Sequence, residues 1–144
     1  MQADLGTPQG PLALIEATKK HFSSSPPVPK QDYKFQLDII VNNAGVAKND
    51  KLPEIKIEDF DFTYKVNVLG PLLLMQAAAQ YLPRDRSGRV VNLSSISSDC
   101  GFLGQSVYGG SKAAMEAMTR VWARELSERA TVNAINPGPV EGPM

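Results

Sequence analysis

Tyr108 and Lys112 stand four residues apart at the start of a helical pattern, so their side chains share one face. A phenol has an unperturbed pKa of about 10 and by itself exchanges protons poorly at neutral pH. A lysine ammonium close by favours the phenolate. At an effective dielectric of about 20 and a separation of about 4 Å, two unit charges interact by about 4 kcal/mol. That corresponds to roughly three pKa units, enough to bring the phenol into the range general acid–base catalysis needs. Tyr-x-x-x-Lys also arises by chance in helices, so the surroundings carry the argument. Ser94 and Ser95 leave an apolar run 13–14 residues before Tyr108 and can present a hydroxyl to the same crevice. Asn67 sits mid-helix in Val66-Asn67-Val68-Leu69-Gly70, where a lone asparagine ordinarily serves helix packing or faces solvent. Asn42-Asn43-Ala44-Gly45 and Asn136-Pro137-Gly138 each read as a turn after an apolar run. Gly138 lets backbone approach a ligand closely.

The elements that must position these residues follow from pattern. Runs at 37–41, 89–93 and 131–135 have strand length, are rich in β-branched residues and end in Asn, Ser, Gly or Pro. Helical periodicity spans 57–81 through Phe60, Tyr64, Val68, Leu72, Met75 and Ala79, and 107–128 through Met115, Met118, Trp122 and Leu126. An earlier helix is expected over about 11–22. Strands alternating with helices of this length predict an α/β fold of right-handed βαβ units with a parallel sheet. Ligand chemistry in such a sheet sits beyond the carboxyl ends of the strands, where all the candidate residues fall. Residues 23–34 have loop composition and are expected to be a surface insertion in a single domain over 1–144. Met1-Gln2-Ala3-Asp4-Leu5 reads as the tail of a strand.

Composition narrows the classes. Hydrophobic content of 42% and charged content of 21% are those of a globular chain. The formal net charge of zero gives no signal for a nucleic-acid or acidic-membrane partner. One cysteine makes neither an internal disulfide nor a cysteine-based metal site, so no metal is expected and Cys100 reads as incidental. His21 has no partner at motif spacing. The apolar stretch around 68–75 is interrupted by Gly70 and Pro71 and is too short to span a bilayer. The N-terminal residues lack the basic start of a signal peptide, so the expected compartment is the cytoplasm.

Taken together, Asn42-Asn43-Ala44-Gly45, Asn67, Ser95, Tyr108-x-x-x-Lys112 and Pro137-Gly138 resemble, in order and spacing, the short-chain dehydrogenase/reductase family. The resemblance covers essentially the whole chain apart from 23–34. It implies a Rossmann-type sheet, NAD(H) or NADP(H) as cofactor, and hydride exchange between nicotinamide and a small-molecule carbonyl or alcohol. Tyr108 would be the acid in reduction and the base in oxidation. Lys112 would lower its pKa and hydrogen-bond the nicotinamide ribose. Ser95 would hold the substrate oxygen, and Asn67 would hold a water relaying protons from Lys112. Asp4 would lie near the adenine, and Asn42, Ala44 and Gly45 on the adenosine side. Pro137, Gly138 and Val140 would contact the nicotinamide end. Residues 96–106 would flank the substrate. The helices at 57–81 and 107–128 would pair in a homo-oligomer.

The sequence also departs from the family pattern. The glycine-rich Thr-Gly-x-x-x-Gly-x-Gly turn is absent, with its strand and helix and the strand that selects NAD or NADP. That turn and its helix N-terminus hold the pyrophosphate. The elements after Pro137-Gly138 are absent too, Gly142 stands where threonine is common, and Gly110 replaces a usual alanine. The expected architecture is therefore an incomplete Rossmann-type sheet, with the 37–41 strand left as an exposed apolar edge. Two functional readings follow: the oxidoreductase, or a shortened, catalytically inactive chain that at most associates with a full-length relative. A Ser95–Lys112 hydrolase is disfavoured, because no Gly-x-Ser-x-Gly elbow is present and the tyrosine would have no role.

Overall fold

Parallel strands cannot be joined by a tight hairpin, so each short β-branched run here must reach the next through a crossover helix. The computed structural model describes residues 3–24 and 34–140 and shows that arrangement. Strands β1 (Ile39–Asn42), β2 (Gly88–Leu93) and β3 (Ala130–Ile135) form one parallel sheet in the order β1-β2-β3. Helix α1 (Gln9–Ser24) precedes β1. Helices α2 (Ile57–Tyr64) and α3 (Gly70–Ala78) connect β1 to β2, and α4 (Ser106–Glu125) connects β2 to β3.

Register decides which residues meet. Ile40 pairs with Val90 and Val90 with Val132, placing three apolar side chains in one row. That row, with Ala130, packs against Leu74, Met75 and Ala78 of α3, Met115 and Trp122 of α4, and Ile15 of α1. Val90 and Ala78 are completely buried. The alternate positions Ile39, Val41, Arg89, Thr131 and Asn133 are exposed, so among the described residues only one face of the sheet is covered. As expected, β1 stands at an edge of the sheet; its Ile39 and Val41 side chains, on the uncovered face, are 67% and 53% exposed.

Several boundaries differ from the sequence expectation. The strands start or end one or two residues away from the apolar runs, and α1 extends to both sides of 11–22. Helix α4 stops at Glu125, and the chain turns before β3. Residues 3–5 are not a strand end. Asp4 Oδ1 instead accepts from the Gly6 N–H at 2.9 Å and closes a turn leading into α1. Of the expected insertion, Ser23 and Ser24 belong to α1, and 25–33 lie outside the described residues, as does Gly142. The expected helix over 57–81 is interrupted. Residues 65–69 form a π-turn in which the Gly70 N–H reaches back to the Lys65 carbonyl. Such a wider turn re-aims one side chain, and here that side chain is Asn67. No helix among the described residues is long and apolar enough to cross a membrane.

Candidate active site

The carboxyl ends of the three strands open into a cavity of about 850 Å³. Asn43, Ala44 and Gly45 line it from the loop after β1, Leu93 to Ser97 from the end of β2, and Pro137 to Val140 from the loop after β3. Tyr108 and Lys112 enter from the first turns of α4, and Phe102 and Gln105 from the segment leading into it. Of the residues expected from sequence, Ala44, Gly45, Ser95, Tyr108, Lys112, Pro137, Gly138 and Val140 therefore share one concave surface.

Ser95 is buried at the turn following β2. Its Oγ accepts from the Ser97 N–H at 3.1 Å and donates to Ser97 Oγ at 3.1 Å. Ser97 Oγ in turn donates to Gln105 Oε1 at 2.6 Å, so three polar side chains form a chain along the cavity wall. Close packing sets where this turn lies. A Cβ on Gly109 would come within 2.4 Å of the Ser97 carbonyl oxygen, so α4 presses directly on the turn that carries Ser95. Gly110 has a similar reason: a Cβ there would meet the Tyr64 hydroxyl at 2.8 Å. Tyr64 is held in place by stacking on Phe60, with ring centroids 4.4 Å apart.

Lys112 is buried, and burial lowers its pKa below the usual lysine value. Its Nζ donates to the Leu93 carbonyl at 2.6 Å and lies 5.6 Å from the Tyr108 ring centroid. Its nearest hydrogen-bond partner is thus a strand carbonyl, a contact the four-residue spacing did not reveal. Asn67 is buried beside it. Its Oδ1 accepts from the Val46 N–H at 2.8 Å, and its Nδ2 donates to the Val46 carbonyl at 2.8 Å and to Ser111 Oγ at 3.0 Å. Asn67 thereby holds the loop after β1. A Cβ on Gly45 would sit 3.4 Å from Lys112 Nζ and 3.5 Å from Asn67 Oδ1, so Gly45 leaves open the space between them.

Besides Asn67, two expected residues do not line the cavity. Asp4 is exposed and occupied with its own turn. Asn42 is buried in the sheet, where its Nδ2 donates to Asn92 Oδ1 at 2.7 Å, and Asn92 Nδ2 donates to Thr119 Oγ1 at 2.7 Å. This polar ladder crosses from β1 through β2 to α4. Asn43 and Pro139, which the sequence reading passed over, do line the cavity. Their position beside motif residues was the available signal. Among the described residues no cluster of His, Cys, Asp and Glu could hold a metal ion.

Residues 29–144 match the family described as short chain dehydrogenase. The chain is 56% identical over 136 residues to an L-xylo-3-hexulose reductase of Hypocrea jecorina, covering 91% of this chain and 44% of that protein. It is 53% identical over 152 residues to an L-xylulose reductase of Aspergillus niger, covering 100% of this chain and 49% of that protein. Among solved structures it superposes on an angucycline C-6 ketoreductase with bound NADP, with TM-score 0.85 and 33% identity over 96% of this chain and 51% of that one. The chain thus spans about half the length of these proteins.

Proposed function

From a chain that belongs to the short-chain dehydrogenase family, we propose the substrate-side half of an NAD(P)H-dependent carbonyl reductase, with Tyr108 as its acid/base. The observation that carries this reading is the convergence of Ser95, Tyr108 and Lys112 on one cavity with the Pro137–Val140 loop opposite. The cavity suits the nicotinamide–ribose half of a dinucleotide. Lys112 and Tyr108 offer donors for ribose hydroxyls, Pro137, Gly138 and Val140 offer a narrow apolar wall, and Gly45 keeps open the space next to Lys112. Ala44 and Gly45 would border the adenosine side, Asn42 supports that loop from within the sheet, and Asp4 would lie near the adenine. No glycine-rich turn for the pyrophosphate occurs within these 144 residues.

When bound, the nicotinamide supplies a hydride to the substrate carbonyl carbon. Ser95 Oγ would turn from Ser97 to donate to the carbonyl oxygen, and Tyr108 Oη would deliver the proton that completes the alcohol. Lys112 would stabilise the resulting phenolate, and Asn67 would hold a water that links Lys112 to solvent as a proton relay. The two ketose reductases named above support a ketose or related polyhydroxy ketone as substrate. Exposed Ile57, Phe60, Leu72 and Val121 support pairing of α2–α3 and α4 across a homo-oligomer, which size-exclusion chromatography with light scattering would detect.

The competing reading, a chain that only associates with a full-length relative, draws on the missing glycine-rich turn. Fluorescence titration of the purified protein with NADPH and with NADH separates the two. Saturable binding of either supports the reductase; no binding of either at millimolar concentration overturns it for this chain.

A further inference from the structure

Outside the cavity, one turn beyond Lys112 on α4, stands Glu116. A single oxygen of its carboxylate, Oε1, accepts from Ser94 Oγ at 2.8 Å, from Asn136 Nδ2 at 2.7 Å and from Ser98 Oγ. Each donor comes from a different piece of the rim. Ser94 is the first residue after β2, Ser98 closes the turn that begins at Ser95, and Asn136 is the first residue after β3.

Further bonds join these donors to the residues of the site. Ser98 Oγ also lies 2.7 Å from the Ser95 carbonyl, so its one proton is shared between that carbonyl and the carboxylate. Asn136 Nδ2 also reaches Ser98 Oγ at 3.3 Å, and Ser94 Oγ reaches the Lys112 carbonyl at 3.2 Å. The two loops are tied to each other by the backbone: Ser94 N–H to the Ile135 carbonyl at 2.9 Å, and Ile96 N–H to the Pro137 carbonyl at 3.2 Å. The loops so gathered carry Ser95 and the Pro137–Val140 wall, and the helix that gathers them carries Tyr108 and Lys112.

We propose that Glu116 is the positioning residue of the site, its carboxylate fixing the loops after β2 and β3 against the helix that carries Tyr108 and Lys112. The inference rests on the proposed function for its catalytic meaning and on the hydrogen bonds alone for its structural one. An ionised acceptor makes shorter and stronger bonds than a neutral one, which suits an oxygen serving three donors. The bond from Ser98 holds the Glu116 carboxyl below the usual carboxylate range; partial burial opposes it, while Ser94, Asn136 and the Arg120 charge add to it. At neutral pH the group is therefore the ionised form. Glu116 does not line the cavity, so its effect on chemistry must pass through the residues it holds.

The test compares Glu116→Ala and Glu116→Gln with the wild-type chain by amide hydrogen exchange and by NADPH-dependent ketose reduction. In Glu116→Ala, exchange of the Ser94, Ile96, Ser97 and Ser98 amides, of which Ser94 and Ile96 bond the Ile135 and Pro137 carbonyls at the end of β3, should accelerate by about tenfold or more, the loss expected for a hydrogen bond to a charged group. The β2 and β3 amides at Val90 and Val132 should keep their protection. Glu116→Gln, which retains one acceptor oxygen and the side-chain shape, should recover part of it. Turnover should fall with the loop protection while the KM for the ketose moves less, because the reacting groups are misaligned and the cavity is not closed. Unchanged exchange of these four amides, or loss of protection spread evenly over the sheet, overturns the inference whether or not the chain proves to be a reductase. If Glu116→Ala does not fold, Glu116→Gln alone decides by the same readings. If wild-type turnover is absent, the proposed function fails and the exchange pattern still judges Glu116.

Discussion

The two faces of the sheet obey different rules. On the covered face, Ile40, Val90 and Val132 line up in register beneath α3 and α4, and the polar ladder Asn42–Asn92–Thr119 runs across the strands to α4. On the other face, Ile39 and Val41 stand in solvent next to Arg89, Thr131 and Asn133. Parallel sheets are ordinarily covered on both faces. Among the described residues, the side chains of the candidate site come from strand ends and from the helices packed on the covered face. The bare face carries none of them.

This comparison can be broken or sharpened by substitution. The largest effect is expected on the covered face. Met115→Ala, at a residue 2% exposed, should cost about 2–5 kcal/mol in urea denaturation, from lost transfer energy and the cavity left behind. Val41→Thr on the bare face should change stability by about 0.5 kcal/mol or less. Equal effects would mean that the bare face is covered in solution. A smaller contrast holds between two glycines near the site. Gly109→Ala puts a methyl group against the Ser97 carbonyl and should cost about 1–3 kcal/mol while shifting the Ser95 turn, whereas Gly101→Ala meets nothing within 4 Å and should be nearly neutral. Urea denaturation of the pair checks this, with amide exchange at 95–98 reporting the shift.

The smallest effect concerns Lys112. Burial lowers its pKa in the folded chain from 10.5, so just below 10.5 the unfolded chain binds more protons than the folded one. Stability of the wild type relative to Lys112→Met should therefore rise as pH climbs through that interval. Paired denaturation curves at about pH 8 and about pH 10 measure the difference; a constant difference would mean that the ammonium is not desolvated.

Much of this architecture was legible in the residues. The three strands are visible because β-branched runs ending in turn residues have few other uses, and Tyr108, Lys112 and Ser95 are visible because motif spacing survives folding. The π-turn at 65–69 was not, since a 3.6-residue period continues through Val68 and Leu72 whether or not the helix widens between them. Asn42 was read as a residue of the adenosine side because it belongs to a motif. Its pairing with Asn92 depends on strand register, which no local pattern encodes. Glu116 was invisible for a related reason: its three donors lie 18 to 22 residues away along the chain and meet only where β2, β3 and α4 converge. Gly110, a departure from the family pattern with a propensity cost of about 1 kcal/mol, is explained only by the Tyr64 hydroxyl beside it.

The central claim is that Tyr108 passes the proton that turns a bound ketone into an alcohol. The direct measurement is the rate of NADPH consumption with L-xylulose for the wild-type chain and for Tyr108→Phe, whose ring keeps its shape and loses only the hydroxyl. The account predicts measurable wild-type turnover and a loss of about 10²–10⁴-fold in the variant, the usual scale of a general acid. A phenylalanine variant that turns over at the wild-type rate would contradict it.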